Sequence, residues 1–208
     1  MGHRRGTGLV LTGLLLIAAA LFLLSRNLLE SRRAEETTEK AAAALHRLAT
    51  LPTGEAYEET QSIPLPETQP PLPMEMPTKR IDGREYIGTL QIPGLDLTMG
   101  ILSRCSEEGL KHSPCRYVGS AYSQDMVIAA HNYDAHFGRI HRLQPGDAVI
   151  FTDVDGNSFS YRVVLRDTLM SDAVAEMTES DFALTLFTCT PGGAYRVTVR
   201  CDPETGDA

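Results

Sequence analysis

The chain has few cysteines and no excess of basic charge. Four cysteines in 208 residues (Cys105, Cys115, Cys189 and Cys201) are too few for a disulfide scaffold. No pair is spaced Cys-x-x-Cys, which excludes zinc-ribbon and thioredoxin-like arrangements. Cys105 and Cys115 could bridge in an oxidising compartment, but spacing alone does not show that their Cα atoms approach within about 7 Å. They and Cys201 stay unassigned. Lysine and arginine number 19 against 27 aspartates and glutamates, a net charge of −8, so long-range attraction to phosphate backbones does not drive binding and nucleic acid is not an expected partner. No internal repeat is present. A chain of this length without repeats has room for one ordinary domain plus appendages.

The N-terminal stretch from Gly6 to Leu24 carries no charge. About 20 apolar residues at 1.5 Å rise cross the roughly 30 Å hydrocarbon layer, so residues 6–25 are expected to form a transmembrane anchor behind a cytoplasmic segment, 1–5. Leu21 to Leu24 extend the apolar run past Ala18–Ala20, where a signal peptide would already have turned polar, and this favours an uncleaved anchor. Arg4 and Arg5 on one side, with Arg26, Arg32 and Arg33 on the other, leave the orientation open. Residues 26–51 read as a helical stalk of good helix formers with acids early, a solvated spacer. Seven of the twelve prolines fall between Pro52 and Pro77, which blocks helix and central strand and makes 52–82 a linker.

A catalytic-sized domain over 83–202, with a tail at 203–208, reads as all-β. Glu85–Ile92 alternates and ends at Pro93-Gly94; Leu97–Leu102 follows, and Met126–Ala130 is a short apolar run of buried-strand length. Ala148–Thr152 and Ser158–Leu165 flank Asp155-Gly156, which suits a tight hairpin. Ala183–Thr188 and Tyr195–Cys201 are joined by a loop holding Pro191-Gly192-Gly193. Seven or eight short strands with few helical stretches point to a closed barrel.

A strand ending at Cys189, a glycine-bearing loop and a strand opening near Arg196 bring those two residues close across an antiparallel pair. A guanidinium beside a sulfur favours the thiolate and can bind an oxyanion. Spacing is equally compatible with a structural cysteine and a surface arginine. A thiol nucleophile needs a proton carrier, usually histidine. Of the six histidines, His3 precedes the apolar run and His46 lies on the stalk. His131 stands out because it ends the apolar strand Met126–Ala130, whereas His112, His136 and His141 sit in polar context and are expected to be solvated.

These segments resemble a known family. Val127-Ile128-Ala129-Ala130-His131-Asn132-Tyr133, then Phe137-Gly138 and Leu143-Gln144-Pro145-Gly146-Asp147, is similar to the histidine block of sortases, and Thr185-Leu186-Phe187-Thr188-Cys189 resembles their cysteine signature. Arg196 stands at the place of the family's arginine, and the resemblance covers about Glu85 to Asp202. Ala130 stands where many members have glycine. Arg200 keeps to the same strand face as Arg196, but at about 3.3 Å per residue it lies roughly 13 Å further from the cysteine loop.

The resemblance implies an eight-stranded β-barrel on the outer face of a Gram-positive type membrane, single-pass. It also implies a cysteine transpeptidase, a cysteine-type endopeptidase in its first half-reaction, with Cys189 as nucleophile, His131 as acid/base and Arg196 as stabiliser of charge. Thr188, Ala130 and Asn132, which flank the first two, are expected to meet substrate. The implied partners are surface proteins bearing a Leu-Pro-x-Thr-Gly-like sorting signal and an amine acceptor, either a cell-wall precursor or a pilin lysine. No cofactor is called for.

Two other functions compete. His131, His136 and His141 with Asp134 offer zinc-ligand chemistry, although steps of five do not stack on one helical face, and a zinc hydrolase would follow. A non-enzymatic surface β-barrel binding module, with Cys189 only core, is the second. Asp153 and Asp155 could bind calcium, but the hairpin explains both. Leu65-Pro66-Glu67-Thr68-Gln69 in the linker has the core of the implied sorting signal, and composition or a tethered pseudosubstrate would account for it.

Overall fold

The computed structural model describes residues 3–49 and 75–204. The first element is one unbroken helix, α1 (His3–Ala49). It is followed by β1 (Lys79–Ile81), β2 (Arg84–Ile92), β3 (Leu97–Leu102), α2 (Glu107–Leu110), β4 (Cys115–Val118), β5 (Met126–Ala130), β6 (Ala148–Asp153), β7 (Ser158–Met170), α3 (Val174–Thr178), β8 (Leu184–Cys189) and β9 (Tyr195–Pro203). Most of the linker, including Leu65–Gln69, and the tail beyond Glu204 lie outside the described residues.

The strands form a single sheet in the order β1-β2-β3-β4-β5-β8-β9-β7-β6, and a further β2–β6 pairing closes it. Eight strands, β2 to β9, therefore make a barrel, with β1 added as a hairpin outside the ring. Closure leaves no long edge inside the ring for another chain to pair with. Inside, Ile87, Leu90, Met99, Ile101, Ile128, Phe137, Phe151, Leu186 and Val199 are buried in one cluster.

Where the strands differ from the sequence reading, packing explains it. The linker ends earlier than expected, because Lys79–Ile81 pairs with Arg84–Tyr86. β7 runs five residues past Leu165, held along its outer half by β9 up to the Met170–Tyr195 pair.

The weakest seam is between β3 and β4, which share one parallel pair, Leu102 with Cys115. Side chains reinforce it: the Ser113 hydroxyl donates to the Gly100 carbonyl at 2.6 Å and Arg116 Nε to the Ser103 carbonyl at 3.1 Å. A disulfide joins Cys105 to Cys115 with Cα atoms 5.1 Å apart, so the spacing that left this pair open is resolved as a staple over the seam.

The stalk is not the solvated spacer its composition suggests. Ala41, Ala42 and Leu45 of α1 are buried, and Ala41 and Leu45 cluster with Tyr86, Leu102, Cys115 and Ala129 on the outside of the barrel. Gly100 permits the approach, since a Cβ there would lie 3.1 Å from the Tyr86 ring and 3.2 Å from the Ala41 methyl. At its other end α1 exposes Leu14, Leu15, Leu16, Ile17, Leu21, Phe22 and Leu23. Among the described residues, however, no helix is long and apolar enough to cross a membrane.

Candidate active site

Side chains alternate between the two faces of a strand, and the barrel core shows which face is inside. Met126, Ile128 and Ala130 of β5, Leu184 and Leu186 of β8, and Val197, Val199 and Cys201 of β9 all pack toward the interior. His131 just beyond β5, Cys189 and Arg196 therefore belong to the outer face.

Register aligns them. β5 and β8 run parallel with Ala130 opposite Thr188, so one more residue brings His131 level with Cys189. β8 and β9 are antiparallel with Cys189 directly opposite Arg196. By register, the backbone positions of His131, Cys189 and Arg196 thus fall in one row across β5, β8 and β9, with about 4.8 Å between neighbouring strands.

The segments carrying Cys189 and Arg196 are held by their surroundings. The Thr188 hydroxyl donates to the Ala130 carbonyl at 2.9 Å, inside the barrel. The loop between β8 and β9 is pinned where Thr190 N donates to Tyr195 O at 2.9 Å and Gly193 N to Thr190 O at 2.8 Å. Arg196 Nη1 donates to the carbonyls of Gly193, 2.9 Å, and Tyr195, 3.1 Å. The guanidinium is thereby folded over the cysteine loop.

A cleft of about 330 Å³ opens at Cys189. Asn132, Phe137, Gly138 and His141 form one side, and Thr188, Thr190, Pro191 and Val197 the other. Of the residues expected to meet substrate, Thr188 and Asn132 line it. Ala130 is buried beneath it, and its carbonyl is engaged by Thr188. His131 and Arg196 flank Cys189 without lining the cleft. His141 is exposed, as its polar context led us to expect, and it also walls the cleft, its Nδ1 2.9 Å from the Gly138 carbonyl.

His136 is the clearest departure from the sequence reading, because it is fully buried rather than solvated. Burial above all, and then the field of His131, pushes its pKa down to about 4, so the ring is neutral at neutral pH. The sequence offered one signal: His136 precedes Phe137, and Ile140 follows, so the loop carries its own apolar anchors.

Arg200 has a different task from Arg196. Its guanidinium is buried and donates to the carbonyls of Met177, 3.2 Å, and Glu176, and to the hydroxyls of Ser180 and Thr185, 3.2 and 3.0 Å. It clamps the connection between β7 and β8 to the barrel. Cys201 faces the core, and burial pushes its thiol up to about 12, which keeps it protonated and inert. Cys189 is the other free thiol and is partly exposed.

The competing metal sites do not assemble. No group of three His, Cys, Asp or Glu side chains that could hold a metal ion occurs among the described residues. The Asp153 carboxylate is occupied by the β6–β7 turn: it accepts from Asp155 N and Asn157 N at 2.9 Å, from Asn157 Nδ2 at 2.8 Å and from the Tyr122 hydroxyl at 2.6 Å.

Solved structures with the same barrel include sortase A from Corynebacterium diphtheriae in a lid mutant (19% identity, covering 60% of this chain and 73% of that one, TM-score 0.52). Sortase C1 from Streptococcus agalactiae (23%, 62% and 72%, 0.52) and sortase A from Listeria monocytogenes (19%, 58% and 88%, 0.51) are further examples. At these identities the likeness is one of fold. A search of curated proteins finds no match. The family model of the Sortase domain matches residues 90–204, a span that holds the whole row from His131 to Arg196 and more than half of the chain, and the protein therefore belongs to the sortase family.

Proposed function

We propose that this protein is a membrane-held cysteine transpeptidase in which Cys189, His131 and Arg196 carry the chemistry. What supports this reading is the register that sets Cys189 opposite Arg196 and Thr188 opposite Ala130, one residue before His131. Cys189 gives its thiol proton to His131, and the thiolate Sγ attacks the threonine carbonyl carbon of a Leu-Pro-x-Thr-Gly-like signal, forming a C–S bond. The C–N bond to the following residue then breaks while His131 donates a proton to the departing amine. An acceptor amine attacks the thioester and gives up its proton to His131, which frees the thiol; water in place of the amine gives the endopeptidase outcome. Arg196, already bent over the cysteine loop, stabilises the oxyanion or holds the signal. Thr188 and Asn132 line the cleft that receives the peptide, with Ala130 supporting it from below.

Partners on this reading are surface proteins with a C-terminal sorting signal and an amine of a cell-wall precursor or a pilin lysine. Support for an anchored, extracellular placement comes from two features. Within the uncharged run from Gly6 to Leu24, Leu14, Leu15, Leu16, Leu21 and Leu23 are exposed on α1, and the Cys105–Cys115 disulfide is of a kind that persists outside the reducing cytosol.

The deciding experiment is intact-mass spectrometry of the protein with candidate Leu-Pro-x-Thr-x peptides. A thioester adduct on Cys189, absent in Cys189→Ala, is expected. Peptide cleavage that survives Cys189→Ala or an alkylating reagent, but is lost to a strong chelator, would overturn the reading in favour of a metal hydrolase. Full function without Cys189 or any cleavage would favour a binding module.

A further inference from the structure

Three rings run inward from the active row. His131 and Tyr133 have centroids 4.9 Å apart with planes inclined at 38°, and Tyr133 and His136 follow at 5.5 Å and 42°. The first ring is partly buried and the last fully buried. Backbone bonds close the segment between them: His136 N and Gly138 N both donate to the Tyr133 carbonyl at 2.9 Å, and Phe137 N to the His131 carbonyl at 3.2 Å. Gly138 is required for this fold, since a Cβ there would sit 2.6 Å from Asn132 O and 2.8 Å from Tyr133 O.

The inner end of the stack is moored to another part of the molecule. His136 hydrogen-bonds to the backbone of His112, which follows α2 inside the segment bounded by the Cys105–Cys115 disulfide. An acid/base imidazole is effective only when held within about 0.5 Å and 10–20° of its working geometry by packing and hydrogen bonds behind it. His131 lies just beyond the end of β5, where the ladder no longer fixes it. We propose that His136 is a positioning residue for His131, acting through the ring of Tyr133. The proposal rests on the reading of His131 as the proton carrier.

The ionisable groups around His136 are few. His131 and Tyr133 come from its own loop, and His112 comes from the segment after α2, with its ring 3.3 Å from the Glu108 carboxylate. With His136 neutral, His131 takes up its proton during turnover without a second cation behind it.

The test uses the full-length protein with three variants. Tyr133→Leu removes the middle ring, His136→Leu removes the mooring bond while keeping bulk, and His136→Gln keeps an amide able to reach the His112 carbonyl. The kcat and KM for a sorting peptide are measured beside the NMR signals of the His131 ring. Tyr133→Leu and His136→Leu are expected to lower kcat by about 10- to 100-fold with KM within about twofold, and to shift and broaden the His131 signals, while His136→Gln restores most of both.

Unchanged His131 signals and kcat in a folded Tyr133→Leu protein would overturn the proposal. That variant decides the matter even if His136→Leu does not fold. Should the wild type form no thioester on Cys189, the functional reading fails by itself. The His131 signals then still report whether the stack orders that ring.

Discussion

The Thr188 hydroxyl and the Ala130 carbonyl, 2.9 Å apart, tie β8 to β5 one residue before Cys189 and His131 respectively. A parallel strand pair has slanted bonds and is slightly less stable per residue than an antiparallel one, so this side-chain bond adds definition where β5 and β8 end. Thr188→Val keeps the shape and removes the donor. It is expected to cost about 1 kcal/mol in stability, read from the urea midpoint, and to lower kcat for a sorting peptide about 10-fold. Unaltered turnover in the destabilised variant would show that the tie serves the barrel alone.

Arg196 Nη1 alone donates to the carbonyls of both Gly193 and Tyr195, while the planar guanidinium it belongs to carries further N–H donors in a fixed geometry that a lysine ammonium lacks. Arg196→Lys is therefore expected to behave almost as badly as Arg196→Ala, with a loss of about 100-fold or more in kcat/KM. Arg200→Lys should act through stability, because its partners belong to the β7–β8 connection. Steady-state kinetics and thermal melts of the two lysine variants separate these effects.

Buried His136 makes stability depend on pH. Its pKa is depressed from 6.5 to about 4, so between those values the unfolded chain binds a proton that the folded protein does not. The contribution is fully present above about pH 6.5 and is lost as pH falls through 4, reaching on the order of 3 kcal/mol. Denaturant unfolding at pH 7.5 and pH 4.5 should show the difference shrink in His136→Gln. An equal pH dependence in both proteins would assign the acid sensitivity to other groups.

Reduction tests the seam. The Cys105–Cys115 bridge closes a short loop across the single β3–β4 pair, and its removal is expected to cost about 2–3 kcal/mol. Cys115→Ala, or reductant with the wild type, should lower the unfolding midpoint. If the stapled segment also steadies the rings behind His131, kcat should fall as well.

How much of this was legible in the chain depended on where each signal was local. Leu97–Leu102 and Met126–Ala130 were read with the limits the structure gives, because apolar runs bounded by turn residues carry their own boundaries. β4 escaped notice: four residues, Cys115–Val118, become a strand only because β3, β5 and the disulfide hold them. The positions of Cys189 and Arg196 could be inferred because a short loop fixes the register of an antiparallel pair. His131 stood out because it ends an apolar strand, but the parallel pairing of β5 with β8 joins segments more than fifty residues apart, and nothing local in the sequence marked it. His136 looked solvated because Asp134 and Arg139 surround it in sequence, while its burial follows from the curl of the loop. Ala41, Ala42 and Leu45 did carry a helical stripe. Their richly charged surroundings hid that it had a partner.

The docking of α1 has a mechanical consequence. A helix of 47 residues is about 70 Å long at 1.5 Å per residue, and the barrel is bolted to its far flank by Ala41 and Leu45 rather than dangling from the proline-rich tether alone. The cleft at Cys189 therefore inherits a compass heading from the rod: turning the helix about its own axis swings the mouth of the barrel with it.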